Sequence, residues 1–183
     1  MRQLASPRQA NIGNKAQFDY ARSPRYYHLS NRFRTPAGFP RRAFSFVEQK
    51  AKMTDADILA LVDRLERCLL GKTEFHHRDH LAVAVAYLYA ADFETAFARM
   101  RATLIRFSTH HNVPQLYHET LTRFWMSEVE KRLDRSMCLR ESVAAIQQAL
   151  ADKNLPFMYY RKETVNSPEA KRAFVEPDLA ATT

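Results

Sequence analysis

Two short stretches hold four of the seven histidines and most of the chemistry this chain can offer: Phe75-His76-His77-Arg78-Asp79-His80-Leu81 and Tyr117-His118-Glu119-Thr120. His77 and His80 are three residues apart, so on a helix their Cβ atoms lie about 5–6 Å from each other on one face. That face continues through Leu81, Ala84 and Leu88. His118 is followed at three, seven and eleven residues by Leu121, Trp125 and Val129, which places it on an apolar helical stripe of its own. Where the two stripes meet, three imidazoles meet with them. Three neutral imidazoles can hold a divalent ion, at about 2.0–2.1 Å per bond for zinc, and leave a position open for water or substrate. Zinc, iron, copper and nickel all suit imidazole, so the ligand type selects none of them. Glu119, about 100° round the helix from His118, could serve as fourth ligand, as acceptor for an imidazole N–H, or as general base, with Tyr117 as a second candidate catalytic group beside it. Asp79 competes for the acceptor role. His76 takes the place of His77 if the helix begins one residue away.

A plainer account fits the same residues. A histidine on an apolar face is commonly a core residue bonded to a carbonyl, and His77 and Asp79 near a helix start can satisfy the free N–H groups there. His-x-x-His is also less diagnostic than His-Glu-x-x-His. His110-His111 reads as a helix end, where the dipole favours the cation, and is assigned no chemistry. Cys68 and Cys138 have neither a nearby histidine nor a glycine-rich turn, so both read as small apolar core residues. Phe97, Phe107, Phe124 and Trp125 recur at helical spacing and read as core. No glycine-rich phosphate loop exists in the sequence, which argues against an ordinary nucleotide-binding enzyme.

The elements that must position these groups are helices. Thr54 with Asp57 three residues on forms a capping box, and Ile58, Leu61, Val62, Leu65, Cys68 and Leu69 follow at helical spacing until Gly71. A second helix runs from about His77 to Ala91 with Leu81, Ala84, Val85 and Leu88 inward. Asp92 caps a third through about His110, which Asn112 and Pro114 stop. A fourth is expected from about Gln115 to Arg135, a fifth from about Met137 to Ala151, and a short one at Ser167-Pro168-Glu169 with proline in its first turn. Short connections make successive helices antiparallel neighbours. Only three glycines in 183 residues disfavour a sheet with tight hairpins.

Composition bounds the rest. The chain has room for one domain and an appendage, and an apolar fraction of 46% fills a core without disulfide or structural metal. No apolar run reaches the roughly 18 residues that cross a membrane. The charge of +8 is unevenly placed: residues 1–52 hold eleven Lys or Arg against Asp19 and Glu48, whereas residues 53–183 hold seventeen bases against eighteen acids. Basicity therefore says nothing about what the globular part binds. The first 52 residues admit three readings. One is a disordered extension. Another is an organelle transit peptide, with Arg42-Ala43-Phe44-Ser45 similar to a matrix-protease site. The third is a nucleic-acid-binding arm in which Tyr20, Tyr26, Tyr27, Phe33 and Phe39 interleave with arginine.

The histidine stretches, together with Ser167-Pro168-Glu169-Ala170-Lys171-Arg172 and Val175-Glu176-Pro177-Asp178-Leu179, resemble a family of small bacterial helical proteins of unknown function. Its motifs are His-x-x-His, Tyr-His-Glu-Thr and Glu-Pro-Asp, and the resemblance spans about residues 55 to 179. It implies weight on His77, His80, His118 and Glu119, and less on Tyr117, Tyr160, Glu163, Glu176 and Asp178. Arg161 departs from the small hydroxyl residue expected after Tyr160.

The expectations are these. The fold is an all-α, single-domain bundle of about five helices over residues 53–183 with an irregular C-terminal segment, preceded by a disordered basic arm. The leading function is a metal-dependent enzyme acting on a small molecule, with His77, His80 and His118 holding Zn, Fe, Cu or Ni and Glu119 as base or fourth ligand. The alternative is a metal-free helical binding or adaptor protein whose histidines and Tyr117 form a polar pocket. Nucleic acid is expected only through the arm, no membrane is expected, and the compartment is cytoplasmic, or the mitochondrial matrix if residues 1–44 are a transit peptide.

Overall fold

The computed structural model of the chain describes residues 53–179, and every regular element among them is helical. The arm, with all three of its readings, lies outside the described residues. Helix α1, Asp55–Glu66, begins at the expected reciprocal cap: the Asp57 N–H donates to the Thr54 hydroxyl at 3.2 Å, and the Thr54 N–H donates to the Asp57 carboxylate at 2.9 Å. It ends earlier than the apolar spacing suggests. Cys68 takes a left-handed conformation (φ 55°), which turns Leu70 into the core and leaves Leu69 exposed, so neither leucine prolongs the stripe.

Helix α2, His77–Ala90, is the centre of the molecule. One inner face was expected, but every residue from Leu81 to Leu88 is buried, because α1, α3, α4 and α5 surround it. Three alanines among those eight residues let the neighbours approach closely, and a helix apolar all round belongs inside. Helix α3, Phe93–His110, is capped by Asp92, which accepts the Thr95 N–H at 3.0 Å. It stops at Asn112, a left-handed residue (φ 57°) of the kind that closes helices.

The fourth helix corrects the sequence expectation. Pro114–Leu116 forms a separate 3-10 turn, and α4 spans Glu119–Arg132 with His118 as its N-cap. His118 is therefore not on a helical stripe; it precedes the first turn. Helix α5, Leu139–Ala149, follows, then a 3-10 turn at Leu155–Met158, α6 at Lys162–Asn166, and α7 at Pro168–Arg172 with Ser167 accepting the Ala170 N–H at 3.1 Å. Phe124, Tyr160 and Val165 make a small second cluster beside the main core.

Residues 173–179 are extended but tied down. The Thr120 hydroxyl donates to the Ala173 carbonyl at 2.9 Å and accepts the Val175 N–H at 3.1 Å, and the Tyr160 hydroxyl donates to the Val175 carbonyl at 3.1 Å. Asp178 accepts the Arg161 N–H at 2.9 Å and the Thr164 hydroxyl at 2.5 Å, which closes the segment onto the start of α6. Two of the positions the resemblance weights, Tyr160 and Asp178, and the threonine of its Tyr-His-Glu-Thr motif thus have an architectural use. Among the described residues, no helix is long and apolar enough to cross a membrane.

Candidate functional site

A cavity of about 370 Å³ lies between α2, α3 and α4. Leu81 and Ala84 come from α2, Met100, Leu104 and Phe107 from α3, and Leu121, Trp125 and Met126 from α4. The loop before α2 adds Lys72 and Phe75, and the 3-10 turn adds Leu116 and Tyr117. Deeply buried Leu81, Ala84, Met100 and Met126 mark its floor; exposed Lys72 and Leu116 mark its mouth. His77, His80 and His118 all line it, so the convergence expected of the two histidine stretches occurs.

Each imidazole is held differently. The His80 ring packs on Phe75 with centroids 4.0 Å apart, and neither of its nitrogens has a hydrogen-bond partner among the described residues. Burial, aided by the nearby His77, pulls its pKa down to about 4. His80 is therefore neutral at neutral pH and brings one N–H donor and one lone pair to the cavity, with no partner for either among the described residues.

His77 has its Nε2 2.9 Å from the Leu150 carbonyl. A carbonyl only accepts, so Nε2 carries a proton, and in the neutral ring Nδ1 is the lone-pair nitrogen. The ring stands edge-on to Trp125 at 4.5 Å.

His118 is fully engaged. Its Nδ1 accepts the Leu121 N–H at 3.3 Å, and its Nε2 donates to the Val165 carbonyl at 2.8 Å. Burial lowers its pKa, opposed by the bond to Val165. With one nitrogen protonated and the other capping α4, the ring has no lone pair to give a metal. Among the described residues no three His, Cys, Asp or Glu side chains are grouped so as to hold an ion. The three histidines share a wall without sharing a point, and the donor set in this arrangement does not fit a resident metal.

Glu119 is turned out of the cavity wall. Its Oε2 accepts from Arg101 Nε at 2.8 Å and from the Tyr117 hydroxyl at 2.6 Å, and the side chain is buried. A carboxylate so occupied is a poor ligand or base for anything in the cavity. Burial and the Glu119 carboxylate both raise the Tyr117 pKa, so the phenol stays protonated and donates to Glu119. Asp79 acts as a cap, accepting the His76 N–H at 2.9 Å, while His76 Nδ1 donates to the Glu74 carbonyl at 2.9 Å. His111 pins the Leu70 carbonyl through Nε2 at 2.9 Å.

Sequence reasoning missed the cavity itself and, with it, Lys72, Phe75, Met100, Leu104 and Met126 as its lining. The one sequence signal for its mouth is Asn112-Val113-Pro114, which breaks the chain where the 3-10 turn forms. Comparison with known protein families, with curated proteins and with solved structures finds no match to this chain.

Proposed function

We propose that the helical domain binds a small, largely apolar molecule in the cavity between α2, α3 and α4, with His80 and His77 as its hydrogen-bonding contacts. The volume of about 370 Å³ falls within the range of about 300–1,000 Å³ usual for small-molecule sites. The observation that carries the reading is His80: a neutral, largely buried imidazole beside a cavity, with neither nitrogen partnered among the described residues. Such a group is costly unless something else completes its hydrogen bonds. His77 Nδ1 adds a second acceptor one helical turn away.

The test is a thermal-shift panel of matched pairs, each a hydrocarbon and its alcohol, against the full-length chain and two variants. The unaltered protein is expected to be stabilised more by the alcohol of each pair. His80→Leu removes that preference but keeps the fold, since an apolar group then meets an apolar wall. Ala84→Leu fills the floor and abolishes binding of both. A panel in which no compound stabilises the protein, or one whose effects ignore both variants, contradicts the proposal.

The metal-dependent reading, with His77, His80 and His118 as ligands, requires His118 to leave Val165 and Leu121. It predicts that Zn²⁺, Fe²⁺, Cu²⁺ or Ni²⁺ raises the melting temperature of untagged protein; the binding reading predicts no such shift.

A further inference from the structure

We infer that the molecule bound in this cavity is an amphipathic carboxylate, its anionic head at the mouth beside Lys72 and its mainly apolar body inside, with a hydroxyl or carbonyl group along that body for His80. This inference rests on the binding reading above and adds the charge of the ligand. Among the described residues, Lys72 is the only formally charged one on the cavity wall, and no Asp or Glu lines it. Lys72 is an exposed residue, and its ammonium group has no hydrogen bond or ion pair among the described residues. The acid nearest in sequence is committed elsewhere: Glu74 accepts the Gly71 N–H at 2.7 Å and pairs with Arg64 at 3.5 Å.

The other polar groups near the mouth are engaged as donors. The Ser108 hydroxyl donates to the Ile105 carbonyl at 3.0 Å, and the Thr122 hydroxyl donates to the His118 carbonyl at 2.8 Å. Tyr117 donates to Glu119. A head group arriving at the mouth therefore meets one uncommitted strong donor, and it is cationic. The floor is the opposite, apolar apart from the two imidazoles. The cavity volume of about 370 Å³ suits a medium-length tail.

The test puts three head groups on one tail. Decanoate, decanol and decyltrimethylammonium, each kept below its micelle threshold, are titrated into the full-length chain by calorimetry. Decanoate is expected to bind about 2- to 5-fold tighter than decanol, the range of a partly exposed ion pair, with the cation weakest and the decanoate advantage shrinking as salt rises. Lys72→Glu, a change at an exposed position, is expected to reverse the order of the two ions and leave decanol unchanged. Equal affinities for decanoate and decanol, or a Lys72→Glu variant that weakens all three alike, overturns the carboxylate assignment and leaves the cavity reading standing. Failure of all three to bind overturns both.

Discussion

At the residue scale, His80 separates this site from a packed core. A charged imidazole there would lose its hydration with no partner, so the folded chain prefers the neutral form, and its pKa drops to about 4 against 6.5 for the free side chain. The folded pKa is the lower one, so between those values the unfolded chain holds more protons. Stability contributed by His80 is therefore complete above about pH 6.5 and is lost as pH falls toward 4. At about 1.4 kcal/mol per pH unit, the loss has an upper limit of about 3 kcal/mol. His118, also lowered, acts in the same direction. Urea unfolding at pH 7 and pH 4.5 should show a smaller drop for His80→Leu than for the unaltered chain; equal drops would mean that His80 is not held neutral by burial. Glu119 belongs to the same scale with the opposite character. Replacing it with Ala removes the bonds from half-exposed Arg101 and from Tyr117 and should lower stability by about 1–2 kcal/mol, with little effect on cavity binding. If Glu119→Ala spares stability and abolishes binding, Glu119 faces the ligand after all.

At the scale of elements, the helix ends were legible wherever a short polar side chain does the capping. Thr54, Asp92 and Ser167 stand where the sequence places them, and Asn112 stops α3 as its type suggests. The start of α4 was not legible, because histidine is an unusual cap and the apolar spacing after His118 imitates a helix already under way. Nor could spacing reveal that Arg101 on α3 would hold Glu119, since that pair depends on how two helices cross. The cavity is a shortage of volume between three helices, which no local pattern encodes. The C-terminal strap offers a separate prediction. Thr120→Val keeps the shape of the side chain but removes both bonds to residues 173 and 175, and should cost about 2 kcal/mol. Hydrogen exchange should quicken at Val175 first; unchanged protection there would show that Thr120 does not hold the segment.

At the scale of the whole molecule, stability converges on α2, which touches four other helices. Leu88→Ala, at a fully buried position of α2, is expected to cost about 2–5 kcal/mol; a loss below 1 kcal/mol by chemical denaturation would contradict the central place given to α2. Charge is organised separately from the fold, since residues 53–183 are nearly neutral and the excess lies in residues 1–52. If those residues bind nucleic acid, binding weakens steeply with salt and vanishes in a chain that begins at Met53, while ligand binding in the cavity persists.

The central claim is that His80 is a neutral imidazole awaiting a partner in the cavity. Imidazole nitrogen NMR at neutral pH, recorded with and without an alcohol from the matched pairs, addresses it most directly. Neutral-ring shifts are expected for His80 in the free protein, with the His80 and His77 Nδ1 resonances moving on addition and His118 staying put. A His80 ring that titrates near 6.5, or one that ignores the alcohol while His118 responds, would contradict it.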